Sequence, residues 1–230
     1  MVTAERFGTG LTFDEYVTYV GSAANLEREA TGGAPRKDQS GDLRQAYATA
    51  RLSEWQERAW TWLASQPGGP AKVLVISEEW SSDCRRDVPM LARLAETIGL
   101  ELRIFPRDGE KFSAAPAPDP TESPNADLMA QFLNRRDGRT YQSIPVAAFY
   151  TRDMQPLYTY TEYPSCYRKD QHLAVIRGAR AGETPEQTKT RADREFAEML
   201  GSPFFHLWRC AAVDEMASML YERWRVGGPA

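Results

Sequence analysis

Val73-Leu-Val-Ile76 is the feature that most constrains this chain. Four successive apolar residues, three of them β-branched, mark a strand buried on both faces, which must be covered by helices above and below. Pro67-Gly-Gly-Pro70 stops whatever precedes it. A helical pattern follows over Pro89–Ile98 and ends at Gly99, and Leu100–Phe105 then alternates as a second strand. A strand, a helix and a strand at this spacing predict a parallel pair joined by a helical crossover.

Downstream, Pro106 to Pro124 holds five prolines counting both ends and reads as a loop. Asn125–Arg135 reads as a helix. Ile144–Tyr150 and Pro156–Thr161 read as an antiparallel hairpin turning near Arg152-Asp153. Asp170–Arg225 is helical, with breaks near 179–183 and at Gly201-Ser-Pro203. Upstream, Thr12-Phe-Asp-Glu15 is a capping box for a first helix, and a second is expected over Asp42–Ala64. The pattern over 72–177 is therefore β-α-β-α-β-β-α, an α/β sheet covered by helices on both faces. The organisation expected is an N-terminal helical extension (1–70) outside the sheet, a core domain (71–178) and a C-terminal helical extension (179–230).

Among 230 residues, 42% hydrophobic and 11% aromatic content is ample for a core. A net charge of −4 argues against non-specific nucleic-acid binding, because few cations are spare to displace counterions. No apolar run reaches the ~18 residues of a membrane span, and Met1–Thr12 lacks a secretory pattern. A cytoplasmic protein is expected. The 2 histidines, His172 and His206, have no matching ligand spacing, so no metal is expected, and no phosphate-binding glycine loop points to a cofactor. Three widely spaced cysteines, Cys84, Cys166 and Cys210, do not make a disulfide framework.

The chemistry-bearing motif is Trp80-Ser-Ser-Asp-Cys84-Arg-Arg-Asp-Val-Pro89, at the strand-to-helix junction. It resembles the W-C-x-x-C motif of the thioredoxin superfamily, with Trp80 at the tryptophan, Cys84 at the second cysteine and Pro89 at the proline five residues later. Ser143-Ile-Pro145 resembles the superfamily's cis-proline segment. With Glu79-Trp80, Arg107-Asp108 and Asp127-Leu-Met129, the chain is similar to a bacterial thioredoxin-like family over about residues 72–177. The resemblance implies a thioredoxin-like fold, a four-stranded mixed sheet with the 73–76 strand central. It implies a cis Ile144–Pro145 bond and a thiol or disulfide peptide or protein as partner, met at Trp80, Ile144 and Pro145.

The departure from that pattern is Ser81, which stands at the first, nucleophilic cysteine. Dithiol exchange needs a thiolate there to form the mixed disulfide, and serine cannot supply one. Ser81 has a structural reading as helix N-cap and a functional one as hydrogen-bond donor to a bound thiolate. Cys84 is either a reactive thiol, favoured by the helix N-terminus and by Arg85 and Arg86, or an inert buried one. Cys166, in Tyr163-Pro-Ser-Cys-Tyr167, follows the fourth strand and is a candidate redox partner for Cys84 or a bystander loop thiol; Cys210 reads as core. Glu78 and Glu79 read as salt-bridged acids ahead of proton acceptors, and the tryptophans as helix-packing residues. Three functions remain open: a thiol-disulfide oxidoreductase with an incomplete Ser81-x-x-Cys84 motif, a non-catalytic module holding a peptide at the Pro145 surface, and a subunit joined to a larger assembly through its terminal helices.

Overall fold

A computed structural model describes residues 1–226. Strand β1 (Lys72–Ser77) carries the apolar run, and each residue from Val73 to Ser77 is buried. It pairs in parallel with β2 (Glu101–Pro106), in register from Lys72 opposite Glu101 to Ser77 opposite Pro106. Two short strands follow, β3 (Asn134–Arg136) and β4 (Arg139–Tyr141), paired only with each other. Strand β5 (Val146–Tyr150) runs antiparallel to β1, with Val146 opposite Ile76, and β6 (Pro156–Thr161) runs antiparallel to β5. The sheet order is β2-β1-β5-β6, with β1 in the interior. This register brings the end of β1, the end of β2 and the start of β5 to one edge, and whatever the chain does there is shared by three connections.

The crossover is α6 (Ser82–Ile98). Ser81 caps its start, and Gly99 ends it in the left-handed conformation at φ 75°, its N–H bonded to the Ala95 carbonyl. That conformation is the reason for a glycine at this stop. Pro89 lies inside α6 and removes one i→i−4 bond from it. Helices α4 (Ser40–Thr49), α5 (Glu54–Ser65) and α10 (Pro203–Val226) pack on α6, and α10 reaches β6. Helices α8 (Lys169–Arg177) and α9 (Pro185–Leu200) lead into α10. The remaining helices are short: α1 (Ala4–Gly8), α2 (Phe13–Val20), α3 (Ala23–Leu26) and α7 (Ala126–Met129). No helix among the described residues is long and apolar enough to cross a membrane.

Three local expectations are corrected. The helix expected over 42–64 is two helices, because Ala50 takes an extended backbone (ψ 129°) and Ser53 starts α5 with its own capping box to Gln56. The helix expected over 125–135 ends at Met129, and the chain turns into the β3–β4 hairpin at Asp137-Gly138, with φ 49° and 73°. An Asp-Gly pair at two positive φ values is the sequence signature of that two-residue turn, and it outweighs the helical spacing of Leu128, Met129 and Phe132. The N-terminal helices do not stand apart from the sheet. Leu11 exchanges backbone hydrogen bonds of 2.9 and 2.7 Å with Ile104, Tyr16 Oη lies 3.0 Å from Ser77 Oγ, and Phe7, Val17 and Val20 share the core of β1 and β5.

Candidate functional site

Ser81 sits where β1 has ended and α6 begins. Its Oγ accepts from the Cys84 N–H at 3.5 Å, a long N-cap bond, so the hydroxyl at the nucleophile position serves the helix. One turn on, Cys84 points into the core and is 1% exposed. Burial pushes its thiol up to about 12, and hydrogen bonds with Ser77, the Glu78 backbone and Ser81 offset only part of that. The arginines beside it are engaged elsewhere. Arg85 Nη1 donates to the Glu79 and Trp80 carbonyls at 2.6 and 3.0 Å. Arg86 forks onto Asp87 at 2.7 Å and reaches Asp83 at 2.8 Å. Neither guanidinium is hydrogen-bonded to the Cys84 sulfur.

All three cysteines are free. Cys166 is exposed and Cys84 is buried, so no disulfide joins the pair that the hairpin topology brings to one edge. Its neighbour Tyr167 takes the inward place instead, stacked on Trp208 at 3.8 Å and lying under the Arg86 guanidinium. Cys210, expected in the core, is half-buried, with Sγ 3.7 Å from His206 Nε2.

The Ile144–Pro145 bond is cis. Its carbonyl side returns to the sheet, where Pro145 O accepts from the Glu162 N–H at 2.8 Å. Ile144 faces Trp80 and Ser81 across an open cleft of about 270 Å³, whose far wall is the proline-rich loop. Phe112 of that loop meets Trp80 edge-to-face at 5.4 Å, and the Arg107 guanidinium lies over both rings, 5.3 Å and 5.6 Å from their centroids. Asp83, Glu162 and Lys169 give the cleft a charged floor, with Lys169 bonded to Asp83. The proline-rich loop therefore lines the site, and its prolines keep it from regular structure.

Behind the aromatic wall lies a buried ionic layer that local sequence spacing did not reveal. Glu78 accepts from Arg36 at 2.5 Å, from Arg28 at 3.0 Å and from the Asp108 N–H at 2.7 Å. Glu79 accepts from the same Arg36 nitrogen at 2.7 Å, and Arg36 Nε donates to the Glu29 carbonyl at 3.0 Å. Asp108 accepts from Trp80 Nε1 at 3.1 Å and from Arg107 Nε at 2.7 Å. Burial, then the Glu78 charge, raises Asp108 to about 6. Glu78 and Glu79 are thus salt-bridged acids. Their partners Arg28 and Arg36 come from the N-terminal segment, separated by 50 and 42 positions, and nothing in the spacing announces them. Among the described residues no group of three His, Cys, Asp or Glu side chains is placed to hold a metal ion.

The mixed sheet in this order, with the crossover helix starting just after Trp80, defines a thioredoxin-like fold. The chain carries a thioredoxin-like domain. Residues 32–116 match a family model described as thioredoxin, less than half of the chain and including the segment that supplies Arg36. Two solved structures resemble the whole chain. One is a protein of unknown function from Pseudomonas aeruginosa, 14% identical, TM-score 0.56, covering 96% of this chain and 98% of that one. The other is an HIV epitope-scaffold, 13% identical, TM-score 0.53, with the same coverage. At such identities the likeness is one of fold. No curated protein matches the chain.

Proposed function

We propose that this chain is a thioredoxin-like module with a degenerate Ser81-x-x-Cys84 motif that binds an extended peptide or protein segment at the cleft between Trp80 and Ile144, the residue before the cis Pro145, without dithiol chemistry. The observation that carries this reading is the separation of cleft from thiol: the cleft is open, whereas Cys84 is buried with its thiol raised to about 12. The oxidoreductase reading rests on Cys84 alone. A thiol so raised stays protonated near neutrality, and Ser81 cannot form the mixed disulfide that would precede resolution. A bound segment would instead lie along Ile144, where main-chain pairing gives affinity, with an apolar side chain against Trp80 and Phe112.

The test pairs binding with turnover. Peptides selected from a displayed random library are titrated calorimetrically against the full chain, its Cys84→Ser variant and its Trp80→Ala variant. The expected result is equal affinity for wild type and Cys84→Ser and roughly tenfold weaker binding for Trp80→Ala, the loss of one buried aromatic contact. Insulin-disulfide reduction above background by the wild type, lost in Cys84→Ser, would overturn this reading in favour of redox chemistry.

A further inference from the structure

Near the start of α6 lies a second, larger cavity, about 380 Å³, walled by α4, by Arg85 and Arg86 of α6, and by the turn between α9 and α10 with the first two turns of α10. We infer that it is an anion site that takes the phosphoryl group of a small molecule, held by Arg85 and Arg209.

The argument starts from unmatched charge. Buried guanidinium groups are ordinarily met by carboxylates, because leaving one unpaired in a low dielectric is costly. Arg86 meets this rule, with Asp83 and Asp87 both within 2.8 Å. Arg209 does not. It is only 8% exposed, its Nε has no hydrogen-bond partner, and among the described residues it forms no ion pair with a carboxylate. Its other nitrogens meet a helix carbonyl, that of Ala46 at 3.3 Å, and His206 Nδ1 at 2.8 Å. The second contact requires a neutral imidazole, so the protein has placed two basic groups together and holds one of them uncharged. Burial lowers the affinity of both Arg209 and His206 for their protons.

Arg85 lines the same cavity and also forms no ion pair among the described residues, its Nη1 bonding to two backbone carbonyls. Ser202 and Phe205 bring the amino end of the 24-residue α10 to the cavity, which adds the positive end of its dipole. The one acid in the lining is Asp42, exposed on α4. A tetrahedral group with oxygens in several directions can engage guanidinium groups from two walls at once, whereas a planar carboxylate is satisfied by one fork. At about 30 Å³ per water the cavity holds roughly a dozen waters, so it has room for more than the phosphoryl group, and Leu200 and Phe205 give the remainder an apolar wall.

The test titrates the full chain with inorganic pyrophosphate, inorganic phosphate and succinate at matched ionic strength. It follows the guanidinium N–H signals of Arg85 and Arg209 by NMR, and the melting temperature. Saturable shifts at both arginines, with pyrophosphate raising the melting temperature and succinate inert, are expected in the millimolar range or tighter. Arg209→Gln and Arg85→Gln should each weaken pyrophosphate binding roughly tenfold, the value of one charge-assisted contact. Should Arg209→Gln fail to fold, Arg85→Gln decides alone, since Arg85 is less buried than Arg209. Absence of saturation up to about 20 mM, a free energy weaker than a specific site gives, overturns the inference. So does equal binding of succinate, or binding unchanged in Arg85→Gln.

Discussion

Cys84 occupies the first turn of α6, where exposed N–H groups favour a thiolate, yet the surrounding apolar core prevails and holds the thiol up at about 12. The two effects differ in size: a helix terminus contributes about 0.3–1 kcal/mol, whereas full burial shifts ionisable groups by up to 3–5 pKa units, several kcal/mol. Modification rates report the winner. With iodoacetamide at pH 8 the native protein should lose Cys166 first, and Cys84 should react at least about 100-fold more slowly, because both its thiolate fraction and its access are reduced. Mass mapping of alkylated peptides over time measures this. Comparable rates at Cys84 and Cys166 would mean that the core opens on that time scale.

At the scale of the element, the segment after β2 is shaped by close backbone contact. A Cβ on Gly109 would lie 1.7 Å from the Glu122 carbonyl oxygen, so only glycine lets the two ends of this loop meet. The Arg28 Nε–H donates to the Gly109 carbonyl at 2.8 Å, and the Glu29 N–H to that of Glu110 at 2.8 Å. These contacts set Phe112 against Trp80. Gly109→Ala should therefore spread the loop and uncover the Trp80 ring, seen as a red shift of tryptophan fluorescence on a background of five unchanged tryptophans. Alkylation of Cys84 should rise less than about twofold in the same variant, because its shield is the packing of α6 on β1 and not the loop. A large rise would instead make the loop a gate over the thiol.

At the scale of the molecule, the ionic layer fastens the N-terminal segment to the sheet. Arg36→Met removes one cation and leaves Glu78 and Glu79 buried with a missing partner, which typically costs about 3–5 kcal/mol. Urea unfolding should show a lower midpoint with a single transition, since residues 1–70 share one core with β1 and β5. An early, separate transition for the N-terminal helices would contradict that integration. Asp108 adds a pH dependence. Its proton affinity is raised in the fold to about 6, so between about pH 4 and 6 the folded state holds a proton that the unfolded state has released. Stability from this group is then complete below about pH 4 and declines as pH rises through 6, by roughly 3 kcal/mol, and Asp108→Asn should flatten that slope.

The β-α-β pairing was legible because Val73–Ile76 and the Gly99 stop are local physics: an apolar run has to be buried on both faces, and a left-handed helix end calls for glycine. The resemblance around Trp80, Pro89 and Pro145 named the fold from three short segments. The Asp137-Gly138 turn was also written in the sequence, as was the Ser53–Gln56 cap, and each was masked by a stronger helical spacing beside it. Other features had no local signal. Whether Cys84 faces solvent or core depends on which side of α6 the sheet covers. The partners of Glu78 lie 42 and 50 residues away, and an ion pair formed across such separations leaves no periodicity to read. Sequence determined the elements and the residue types at the junction. Only tertiary packing decided the protonation state of the thiol and which arginines were left without an acid, because both follow from what the surrounding chain excludes from water.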